Sequence, residues 1–219
     1  MNPVLPEKVE VKKPTIFGAI TNPTEQFERI RRNPKFGLAL FVFTMIGAIL
    51  IGITTFITAN DSSIVQAPVA PGVDAKAMNM VLAVTGVVFG AITIVGAAAL
   101  CALVTWLLVT LFQGEITFKQ AFSLFIHLNV ITCMSLSLNV AMYYLFHLSI
   151  IVPVTSLASV IPIKGFWHGI LSYVDVFQIL YTILLAMGLR VIGKISAYKA
   201  WTIAILFWLL GALVLAIKF

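Results

Sequence analysis

Between Lys76 and Glu115 the sequence reads AMNMVLAVTGVVFGAITIVGAAALCALVTWLLVTLFQG (77–114), without a single charge. As a helix rising ~1.5 Å per residue, this run exceeds the ~30 Å hydrocarbon core of a bilayer. Two spans could share it, but nothing in its middle makes a turn: there is no Pro, no Asp and no polar cluster. A hidden extra span would also reverse the side of every later loop. The run therefore reads as one long helix, about 79–112, that tilts or projects beyond the membrane.

That choice sets the other spans. FGLALFVFTMIGAILIGITTFITA (36–59) is the first, followed by a polar loop over 60–76 with Asp61, Pro68, Pro71, Gly72 and Asp74. After the long helix come the turn QGEITFKQ (113–120) and a third span over about 121–147. Residues 148–170 are apolar yet too short and broken to cross, with Pro153, Pro162 and Gly165. A fourth span over about 171–190, the turn RVIGKISAYK (190–199) and a fifth span over about 199–217 complete the chain. The expected fold is an all-α membrane protein, a five-transmembrane-helix bundle spanning 36–219.

Composition agrees. Of 219 residues, 61% are hydrophobic and 10% charged, and the mean hydropathy is +1.07. Soluble domains run near ~45–50% apolar and ~25% charged, so a soluble enzyme is excluded. The net charge of +6 gives no reason to expect nucleic acid, because the basic residues flank apolar runs. Lys8, Lys12, Lys13, Arg29, Arg31, Arg32, Lys35, Lys119, Arg190, Lys194 and Lys199 fall on one side of a five-span layout, and only Lys76, Lys164 and Lys218 on the other. The positive-inside bias then places the N-terminus inside and the C-terminus outside. Cys101 and Cys133 sit in apolar runs and read as small buried hydrophobes.

Residues 1–14 are Pro-rich and charged, and are expected to form a flexible cytosolic tail without the apolar core of a signal peptide. Over 15–35, Asn22 suits a helix cap, Pro23 its first position and Glu25 the capping box. Phe27 and Ile30 share one face of that helix. The expectation is a short amphipathic helix on the inner membrane surface. Phe27, Arg29, Ile30 and Arg32 would touch that surface, joined by Arg190, Lys194 and Lys199 of the last turn. A plain juxtamembrane connector is the alternative.

Polar groups inside a membrane are costly and are functional candidates by default. Asn129, Thr132 and Asn139 fall near one face of the third span, and Asp175 with Gln178 lies one turn inside the fourth. Interhelical hydrogen bonding and a groove for a ligand or ion are both open readings. An outer group of His147, His168 and Asp175 could bind a metal or sense pH, although pairing of Asp175 with a neighbouring polar group is the simpler reading. No resident metal or cofactor is expected. Gly86 and Gly90 make a small-xxx-small pair, continued by Ala97, that suits close packing within the bundle or a partner helix.

Familiar catalytic signatures are absent. The sequence has no GxxxxGK[ST] phosphate loop, no HExxH and no GxSxG elbow. No enzymatic activity is expected.

TNPTEQFERIRRNP (21–34), just before the first span, resembles the proline-anchored lead-in of bacterial members of the Yip (Ypt-interacting protein) family. ILYTILLAMGLRVIGKISAYKAW (179–201) is similar to that family's ending: an apolar helix closing at Gly188-Leu189, a basic turn, then Lys199-Ala200 opening the last helix. The resemblance covers roughly 15–217. It implies a five-helix integral membrane protein without known catalysis. Eukaryotic members serve vesicle traffic with small GTPases, but their DLYGP-type tail motifs are missing here. The short tail resembles the bacterial branch, in which one member accompanies an ABC exporter that protects Gram-positive cells from a secreted toxic peptide. The implied role is an accessory or scaffold in the bacterial cytoplasmic membrane. Its partners would be lipid and an ABC permease, ATPase or periplasmic-adaptor-like subunit, with homo-oligomers possible. A small-molecule or ion permease is the alternative, and a trafficking factor a third reading.

Overall fold

A computed structural model describes residues 12–61 and 74–218. Most of the expected tail and most of the 60–76 loop lie outside the described residues. The elements are α1 (Gly18–Thr21), α2 (Pro23–Arg32), α3 (Gly37–Asn60), α4 (Ala75–Leu111), α5 (Phe118–Phe146), a 3-10 turn (Leu157–Ser159), α6 (Phe166–Tyr173), α7 (Val176–Gly193) and α8 (Ala197–Ala216). The described residues contain no strand, only an isolated antiparallel bridge between Ser156 and Asp175. The helices α3, α4, α5, α7 and α8 are each long and apolar enough to cross a membrane.

The charge-free run is one unbroken helix. The 37 residues of α4 extend about 55 Å. It runs antiparallel to α3 along a seam of glycines. A Cβ at Gly86 would lie 2.6 Å from Thr55 Oγ1 and 3.3 Å from Gly52 Cα, and one at Gly90 would lie 3.1 Å from Ile51 Cβ. Gly47 faces Ile94 in the same way. Without a hydrophobic driving force between helices in lipid, such close backbone approach supplies the packing. Gly96, on the same helix, has open space around its Cβ position. Gly86→Leu should therefore cost about 1–3 kcal/mol through overpacking. Gly96→Leu should be neutral or slightly stabilising through helix propensity. Thermal unfolding of the two variants in detergent makes the comparison.

The core helix is α5. In its most apolar window 61% of residues are buried, against 17% for α4. Leu124, Ile126, Leu128 and Ile131 of α5 meet Leu185, Leu189 and Ile192 of α7 in one cluster. A Cβ at Gly188 would sit 2.6 Å from Leu124 Cδ1, so that glycine sets how closely α7 approaches. One residue further along α5, Phe125 meets Phe207 of α8 edge-on, with ring centroids 5.8 Å apart.

The expected fourth span is corrected. It does not run unbroken over 171–190: α6 stops at Tyr173 and α7 begins at Val176. Asp175, expected one turn inside a helix, is the N-cap of α7. Aspartate competes with the backbone in helix interiors and favours caps, so the chain breaks where it stands.

Candidate functional site

Three regions contain the residues that the sequence singles out. In the first, Gly86 and Gly90 are occupied within the chain by Thr55 and Ile51 of α3. Ala97 does not continue their seam: it is exposed. Further along α4 the buried residues are Ala98, Ala102, Thr105 and Val109, and Val109 packs beside Gly193 at the end of α7, 3.1 Å from where a Cβ of Gly193 would lie.

The second region holds the intramembrane polar residues, which do not form one groove. Thr132 is exposed, while Asn139 is buried. Asn139 Nδ2 donates to Ser135 O at 2.9 Å, and its Oδ1 accepts from Val154 N at 2.9 Å. Asp175, 2% exposed, accepts at Oδ1 from Phe177 N (2.8 Å) and Gln178 N (3.2 Å). The Thr155 hydroxyl donates to its Oδ2, and Leu157 N donates to Val174 O at 3.0 Å. Asn139 and Asp175 thus clamp residues 154–157 onto the bundle from two sides. Gln178 enters through its backbone amide. Sequence reasoning missed Thr155, whose only prior signal was a hydroxyl in an apolar connection.

Asn129 stays half-buried, with a buried Nδ2 that has no partner, and the hydroxyls of Thr44 and Thr105 are buried and unpaired in the same way. His147 ends α5 in the left-handed conformation, φ 52°, and His168 Nδ1 lies 3.0 Å from Ile163 O. No metal-holding group of three His, Cys, Asp or Glu occurs among the described residues.

The third region is the basic end of the bundle, where α2 meets the turns joining α4 to α5 and α7 to α8. Asn22 caps α2, accepting from Glu25 N at 3.3 Å, and Pro23 opens it. The expected lipid-facing pair is corrected: Phe27 and Ile30 are both 0% exposed, packed in the protein core. Gln26 joins them underneath, exchanging hydrogen bonds with the backbone of Thr15.

Polar side chains, backbone groups and two lysines hold the turns together at this end. Gln120 Nε2 donates to Arg31 O at 2.7 Å, Glu115 N to Gly193 O at 2.9 Å, and Lys199 Nζ to Phe112 O at 2.8 Å. Arg29 pairs with Glu25, and Lys194 with Glu115. Arg32 and Arg190 are exposed.

The hydrogen bond from Lys194, with its charge, holds the Glu115 carboxyl below the ordinary glutamate value. A depressed folded-state pKa contributes stability at neutral pH that is lost as pH falls through it. Both side chains are well exposed, so the effect is small and salt-screened. In a carboxyl NMR titration Glu115 should titrate below a free glutamate, and Lys194→Met should raise it toward the ordinary value, with Arg31 still acting on it.

Comparison with known proteins agrees with the architecture. The Yip1 domain matches residues 17–217. Membrane protein YknW of Bacillus subtilis (strain 168) is 35% identical over 210 residues, covering 93% of this chain and 88% of YknW. No solved structure matches the chain. The five apolar helices, the capped α2 before the first of them and the Gly188 contact before the last turn all lie within the matched region, and the chain belongs to the Yip1-domain family of membrane proteins.

Proposed function

We propose that this Yip1-domain protein is a non-enzymatic accessory subunit in the cytoplasmic membrane of a bacterium. It works beside an ABC-type exporter in resistance to a toxic peptide or to envelope stress. The reading places the basic end of the bundle in the cytosol, supported by the gathering of Arg29, Arg31, Arg32, Arg190, Lys194 and Lys199 there.

The observation that carries it is the outer side of α4. Opposite the glycine seam, Val81, Val84, Val88 and Ile92 form one stripe, each more than half exposed. The stripe continues the longest helix of the bundle and offers an apolar rail to another membrane helix. Asn139 and Asp175, the best candidates for a transport path, are engaged in holding the fold. The sequence holds no nucleotide-binding loop, so in an ATP-driven export role the ATPase is a partner subunit.

A photoreactive residue at Val88 or Ile92, activated in native membranes, tests this. Adducts with an ABC permease subunit support it, and adducts with lipid alone overturn it. The permease reading rests on the unpaired Asn129 Nδ2, Thr44 and Thr105 groups. It requires flux through the reconstituted chain alone that Asn129→Leu abolishes.

A further inference from the structure

A second feature of the basic end is independent of the α4 stripe. A cavity of about 540 Å³ opens between the segment before α1, the start of α3 and the first turns of α5. Lys13, Lys35 and Lys119 line it, and all three are exposed. No ion pair among the described residues engages any of them.

The start of α3 also lines the cavity. Phe36, its N-cap, supplies no side-chain acceptor, and the first hydrogen bond of the helix is from Leu40 N to Phe36 O. The amides of Gly37, Leu38 and Ala39 therefore have no intrahelical acceptor, as at any helix start. A Cβ at Gly37 would meet nothing within 4 Å, so there is room beside the first turn, where Gly37 and Leu38 are exposed. Free amides at the positive end of a 24-residue helix form an anion site when a second source of positive charge faces them.

His127 gives the cavity its buried polar wall. It is 1% exposed and lines the cavity about 12 Å along α5 beyond Lys119. Its Nδ1 lies 2.7 Å from Ser123 O, a carbonyl that only accepts, so Nδ1 carries a proton. With that proton spent on Ser123 O, His127 shapes the wall and leaves the anion to the lysines and amides. Ile16 and Phe36 add apolar wall. Positive charge above, open amides beside and apolar surface around describe the chemistry of a phosphate attached to a lipid.

We infer that this cavity binds the phosphate of an anionic phospholipid headgroup, held by Lys13, Lys35, Lys119 and the open amides at the start of α3. The lipid would fasten the pre-α1 segment to the first and third spans. Its phosphate chemistry is shared with free inorganic phosphate, and the apolar wall favours the lipid.

Native mass spectrometry of the full chain in detergent tests the site with phosphatidylglycerol, phosphatidylcholine and inorganic phosphate as probes. The expected result is one retained phosphatidylglycerol per chain, in preference to phosphatidylcholine. Each lysine near an anionic surface contributes about 1 kcal/mol, close to fivefold in affinity. Lys35→Gln and Lys119→Gln should each weaken retention about fivefold, and the triple variant with Lys13→Gln far more. Removing the same charge at the opposite end, by Lys76→Gln, Lys164→Gln and Lys218→Gln together, should leave retention unchanged. Equal retention of phosphatidylcholine, or equal loss in both triple variants, overturns the site. Displacement of the lipid by millimolar phosphate, with phosphate retained in its place, overturns the lipid and assigns the cavity to free phosphate.

Discussion

Phe27→Ala is expected to destabilise the detergent-solubilised protein by about 3–5 kcal/mol, the range for emptying a buried aromatic site. Phe27 is fully buried. With Ile30 it joins α2 to the core that α5 and α7 build, and Gln26 fastens the same helix to Thr15. A helix merely lying on lipid would lose membrane affinity on this substitution and leave bundle stability nearly unchanged. Chemical denaturation followed by tryptophan fluorescence separates the two. A loss below about 1 kcal/mol would detach α2 from the fold.

Asp175→Ala is expected to cost about 2–4 kcal/mol. The substitution removes the N-cap of α7, typically about 1 kcal/mol. It also strands the Thr155 hydroxyl, with a penalty of about 1–3 kcal/mol for a buried group left unpaired. Asp175→Asn keeps an acceptor, and asparagine is as good a cap as aspartate, so its loss should be much smaller. The contrast distinguishes a cap from a carboxylate that carries an ion, for which Asn would be as damaging as Ala in a flux assay. Melting temperatures of the two variants decide it, and an Ala variant as stable as wild type refutes the clamp.

What the sequence reveals and what it hides have the same physical origin. The long α4 was legible because a charge-free run without a turn residue has one cheap conformation in lipid, a continuous helix. The start of α2 was legible because Asn22, Pro23 and Glu25 are local signals that act within one turn. The burial of Phe27 and Ile30 was not legible. An amphipathic helix shows the same periodicity whether lipid or protein covers its apolar face.

Asp175 was misplaced because apolar composition continues across Val174 without Pro or Gly. The signal was present in Asp175 itself, a residue that prefers caps to helix interiors. Thr132 and Asn139 lie seven residues apart and do share a helix face. The connection after α5 reaches only Asn139, the residue nearer the C-terminal end of α5, so it is buried under Val154 and Thr132 is exposed. Ala97 and Ala98 are indistinguishable by composition, and the seven-residue spacing from Gly90 points to Ala97, whereas the fold buries Ala98.

The accessory role is tested most directly by purifying the tagged protein from its native membranes in mild detergent and identifying near-stoichiometric companions by mass spectrometry. The account predicts a nucleotide-binding subunit and a permease of the ABC type, recovered together with the chain. Recovery of this chain alone, across several detergents and salt concentrations, would contradict it.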